Sequence, residues 1–103
     1  MTSNKKLLTI CDICERLPKI KLRAEHAQKI RDETVQHLQI YLASVEGNQP
    51  THLSVLYEAY QSLIWLADFV TSTECRYVLP TQKLFMHEAM ATCLAMYEQQ
   101  SQI

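Results

Sequence analysis

One glycine, Gly47, and three prolines, Pro18, Pro50 and Pro80, are all that 103 residues hold of the two strongest chain-breaking types. An all-β domain needs frequent turns, and phosphate-cradling loops need glycine for close backbone approach, so this scarcity weighs against both. Long apolar runs are also missing. None reaches the roughly 18 to 20 residues that cross a bilayer, and the opening MTSNKK lacks the apolar stretch and cleavage site of a secretion signal. The chain therefore reads as cytoplasmic, with no membrane segment. Four cysteines in a reducing compartment are expected to remain thiols.

What is present is an ordinary globular composition, 48% hydrophobic and 20% charged, which excludes a disordered chain and suits a single domain over residues 1–103. A chain of this length buries a core without disulfides or metal. Charge is unevenly spread. Residues 1–31 hold eight Lys/Arg against three Asp/Glu, and the remainder holds two against eight. That asymmetry is the first functional hint.

The prolines and the glycine divide the sequence into four segments with a 3.6-residue apolar period. The first, about residues 4–17, carries Leu7, Ile10, Cys11, Cys14 and Leu17 at steps of three and four. Thr2 or Ser3 is its expected N-cap, and Pro18 ends it by pushing Leu17 out of the helical region. The second, about residues 19–46, places Ile20, Ala24, Ala27, Thr34, Val35, Leu38, Tyr41, Leu42 and Val45 on one side, and Gly47 fits a left-handed cap. The third, about residues 50–72, is apolar over most of its circumference, as a central helix with several neighbours should be. The fourth covers about residues 81–99. The expected fold is all-α: an antiparallel bundle of three long helices plus a shorter N-terminal helix.

The pair Cys11–Cys14 raises the question of a metal or redox site. No second C-x2-C follows, no histidines stand at H-x3-5-H spacing, and no βαβ pattern accompanies the pair. On one helical face with Leu7, Ile10 and Leu17, both cysteines are expected to act as small buried hydrophobes. A thiolate metal site remains the third alternative. His26 and His37 fall at the edge of an apolar face, and no histidine is paired with a nucleophile and a carboxylate in a recognisable motif. No enzyme activity and no cofactor are expected.

Two interaction features remain. Trp65 projects opposite the main apolar stripe of its segment, in the sector that holds Glu58, Gln61 and Asp68. Tryptophan ringed by polar groups is the commonest composition of an interface hot spot. Arg16, Lys19, Lys21 and Arg23 cluster in ERLPKIKLRAEH, suited to steering an acidic partner or, as an alternative, to neutralising nucleic-acid phosphates in a transcriptional regulator. Met86, Met90 and Met96 with Phe85 stand at helical spacing, which is usually core, and an adaptable groove is the alternative. The expectation is a small adaptor, inhibitor or regulator that docks on a protein partner, as a homodimer in which the apolar arc of the third segment is completed by a second copy. No motif carries a family resemblance.

Overall fold

The first helix begins where Thr9 and Asp12 cap each other. Thr9 Oγ1 accepts from the Asp12 N–H and the Asp12 carboxylate accepts from the Thr9 N–H, each at 3.1 Å, a reciprocal box that satisfies two otherwise unpaired donors. The computed structural model describes residues 8–47, 53–72 and 78–101. Among them the chain forms α1 (Ile10–Arg16), a 3-10 turn (Leu17–Lys19), α2 (Glu25–Glu46), α3 (Leu53–Ser72) and α4 (Pro80–Ser101), with no strand. The fold is the all-α bundle expected, with three long helices and one short one.

Several boundaries differ from the expected ones. Helix α1 starts at Ile10, six residues later than read from the period; Thr2 and Ser3, the expected caps, lie outside the described residues. Leu17 keeps right-handed helical angles, φ −59 and ψ −43, and its N–H still donates to the Ile13 carbonyl. Pro18 therefore tightens the chain into a 3-10 turn rather than expelling the residue before it. Helix α2 begins at Glu25, not Lys19. In between, Ile20 is extended (φ −79, ψ 119), and Ile20 and Leu22 are both buried while Lys21 and Arg23 face solvent. That is the two-residue alternation of an extended segment, not a helical period. Side chains from α2 hold it: Arg31 Nη1 donates to the Ile20 carbonyl at 2.7 Å and Gln28 Nε2 to the Leu22 carbonyl at 2.6 Å.

Gly47 closes α2 at φ −86 and ψ 7, with its N–H donating to the Ala43 carbonyl at 3.0 Å. The left-handed cap is not formed: Gly47 has a negative φ and its N–H continues the helical i→i−4 pattern. At the start of α4, Pro80 occupies the first helical position, where its missing N–H costs nothing, and Gln82 Oε1 accepts from the Leu79 N–H at 3.2 Å.

Packing runs as a ring around one core. Helix α3 packs on both α2 and α4, and α1 packs on α2 and α4 from across the core, its backbone nowhere close to that of α3. Ile10 and Ile13 from α1 and Leu17 from the 3-10 turn join Leu38 and Tyr41 of α2, Leu56, Leu63 and Leu66 of α3, and Phe85, Met86 and Cys93 of α4 in that core. The two buried hydroxyls satisfy themselves inside α2, Thr34 to the Ile30 carbonyl and Ser44 to the Ile40 carbonyl. At seven residues, α1 spans about 10 Å along neighbours of about 33 Å. Beyond its start, Leu8, Ile10, Tyr41, Leu42, Val45 and Met96 line a groove of about 370 Å³ between α2 and α4. No described helix is long and apolar enough to cross a membrane.

Candidate functional site

Helix α3 buries Leu56, Ala59, Leu63, Leu66, Ala67 and Val70, a stripe at steps of three and four. At about 100° per residue, the opposite side is occupied by Glu58, Gln61, Trp65 and Asp68, all of which face solvent. The expected sector therefore forms one ridge. Beside it stand two further exposed apolar residues, Tyr57 and Ile64, so one helix supplies three of the large hydrophobic side chains left in contact with water.

Trp65 is held rather than free. It is 38% exposed, stacks on Phe69 one turn later with ring centroids 5.0 Å apart and planes within 9°, and receives the edge of the His26 ring at 5.5 Å. His26 also meets Phe69 edge-on at 5.4 Å. Offset stacks and edge contacts of this kind fix ring orientation and add about 0.5–1.5 kcal/mol per pair beyond area burial. A second polar link joins the ridge to α2, with His37 Nε2 3.2 Å from Glu58 Oε1. His37 Nδ1 is buried without a hydrogen-bond partner, an arrangement that suits the tautomer donating from Nε2 to Glu58. At the α4 side, Gln61 donates to the Tyr57 hydroxyl at 2.7 Å and Tyr57 packs against Tyr97 at 5.2 Å. The ridge is thus pinned on both flanks.

The basic residues lie elsewhere. The Arg16 guanidinium sits over the Phe85 ring of α4, 4.4 Å from its centroid, and with Lys19, Thr81 and Gln82 it borders a cavity of about 200 Å³. The backbones of α1 and the 3-10 turn make no close approach to α3, and Trp65, Glu58, Gln61 and Asp68 lie on the side of α3 opposite its buried stripe, so Arg16 and Lys19 do not join them in one site. Lys21 and Arg23 follow in the extended link, both exposed. Of the four cations, Arg16 and Lys19 border this cavity and Lys21 and Arg23 do not.

The thiols separate by burial. Cys11 is exposed, Cys14 half-buried and Cys93 buried; Cys75 lies outside the described residues. The expectation that Cys11 packs inside is corrected. Ile13, not Cys11, completes the buried face with Ile10 and Leu17, because steps of three and four from Ile10 reach Ile13 and the edge position Cys14. Burial, then the neighbouring Cys11, raises the Cys14 thiol above its ordinary range. Burial, then Cys14, pushes Cys93 up to about 12. A thiol held protonated is a poor nucleophile and a poor metal ligand. Among the described residues, no three His, Cys, Asp or Glu side chains are placed to hold a metal ion.

The methionines pack as their helical spacing leads one to expect. Met86 and Phe85 are core residues, 0% and 2% exposed, while Met90 and Met96 are half-buried against that core. Of the three methionines, Met96 lines the groove between α2 and α4. No protein-family model, curated protein or solved structure matches the chain.

Proposed function

We propose that the chain is a non-catalytic helical interaction module, an adaptor, inhibitor or regulator, that docks on a partner protein through the outward ridge of α3. The observation that carries this reading is Trp65. A sole tryptophan, partly exposed and oriented by Phe69 and His26, shares the outward side of α3 with exposed Tyr57 and Ile64 and with the polar residues Glu58, Gln61 and Asp68. Pre-oriented aromatic anchors lose little side-chain freedom on binding, and such anchors carry most of the energy of an interface.

The flanks of α3 are occupied by α2 and α4 of its own chain, which leaves the ridge as the surface for docking. A second copy seated on the same ridge, the homodimer, is the alternative occupant, and it would set Glu58 and Asp68 against their own counterparts. The basic residues Arg16, Lys19, Lys21 and Arg23 act apart from it, as a region attractive to acidic surfaces.

A photo-crosslinking residue at Gln61, compared in native cells with the same residue at Gln39 on the exposed side of α2, tests the reading. A discrete adduct at Gln61 that disappears on Trp65→Ala supports it; an adduct with a second copy identifies the homodimer. Equal labelling at both positions, or no adduct at Gln61, would sink it.

A further inference from the structure

Helix α3 carries two charged side chains in twenty residues, Glu58 and Asp68, and neither lysine nor arginine. Both carboxylates lie on the outward ridge, about 15 Å apart along the axis, with Gln61, Ile64 and Trp65 between them. On α2, Glu25, Asp32 and Glu33 stand against Lys29 and Arg31, with Asp32 paired to Arg31 at 3.0 Å. Glu58 meets His37 of α2 at 3.2 Å, whereas Arg16 is engaged on Phe85 and its helix backbone makes no close approach to α3.

From this charge pattern we infer that the partner of the ridge presents a basic amphipathic helix, with an apolar stripe seated on Tyr57, Ile64 and Trp65 and Lys or Arg on either side, facing Glu58 and Asp68. The inference rests on the docking reading and gives it a chemistry. Opposite charge steers encounter and fixes register, while an acidic segment laid on the same ridge meets two carboxylates at close quarters. A second copy has that fault, since α3 against α3 brings four carboxylates into one interface. The mode follows from the fold. A helical ring offers no sheet edge for strand addition, whereas an amphipathic helix packs on a helical ridge side chain into groove.

The test uses the whole chain and two labelled probe peptides of equal length, one a Leu/Lys amphipathic helix and the other its Leu/Glu counterpart. Fluorescence anisotropy measures affinity, and emission from Trp65, the sole tryptophan, reports whether the ridge is covered. The Leu/Lys peptide should bind and shift that emission to shorter wavelength. Glu58→Gln with Asp68→Asn should weaken it about tenfold, the effect of losing two rim charges. Glu25→Gln with Asp32→Asn on α2 should change affinity far less, with circular dichroism showing all variants folded. Equal binding of the Leu/Glu peptide overturns the inference while leaving a charge-indifferent docking ridge intact. An unmoved Trp65 emission, equal losses in the two charge-pair variants, or no binding of either peptide overturns it as well. The docking reading itself stands or falls separately, on the Gln61 crosslink.

Discussion

Ile13 and Cys11 are two positions apart on one short helix, yet the first is completely buried and the second faces water. That difference predicts a thiol reactivity order. With Ellman-type reagents on single-cysteine variants, Cys11 should react fastest, Cys14 more slowly, and Cys93 only when the chain unfolds. Cys93 also ties stability to alkaline pH. Its thiol stays protonated in the folded chain up to about 12, against 9.0 for an ordinary cysteine. The unfolded chain therefore releases that proton first, and stability present below about pH 9 should fall as pH rises toward 12. Urea midpoints of Cys93→Ser, which lacks the ionisation, should flatten over that window relative to the wild-type chain. Trp65 and Leu63 make a second pair of near neighbours with different fates. Trp65→Ala should cost about 1–3 kcal/mol, the worth of its two ring contacts, whereas Leu63→Ala, 0% exposed, should cost about 2–5 kcal/mol by urea unfolding.

At the scale of elements, the apolar period located three long helices well, because α3 and α4 carry unbroken steps of three and four between their breakers. It failed between Lys19 and Ala24. Ile20 and Leu22 are two apart, a spacing that an extended segment uses to bury both, and what holds the segment is a pair of side-chain bonds from Gln28 and Arg31 that no local pattern announces. The capping box is written in the sequence as Thr9-x-x-Asp12, but the apolar period runs on past it toward Leu7 and masks the boundary. Thr9→Ala should lower stability by about 1 kcal/mol. Gly47 gives the opposite sign. Since its φ is negative and accessible to any residue, Gly47→Ala should raise stability by about 0.4–1 kcal/mol by restricting the unfolded chain. A loss measured by the same urea titration would show instead that the left-handed conformation is the one adopted.

For the molecule as a whole, the composition of the docking ridge was legible and its surroundings were not. Helical geometry alone put Trp65, Glu58, Gln61 and Asp68 on one face. That His26 and Phe69 clamp the tryptophan, and that Arg16 is drawn away onto Phe85, depends on how α2 and α4 pack, which is decided by contacts far apart in sequence. The short α1 illustrates the same point in another currency, that of rates. Helices α2, α3 and α4 each pack on their neighbour in the chain, but α1 reaches α4 across most of the sequence, with Thr92 Oγ1 donating to the Leu8 carbonyl. Closing so large a loop is entropically the most expensive contact in the fold and belongs late in assembly. Ile13→Ala should therefore accelerate unfolding while leaving the refolding rate nearly unchanged. The amides of α1 should exchange with solvent through a partial opening that leaves α3 protected, so that the bundle breathes first at its seven-residue helix.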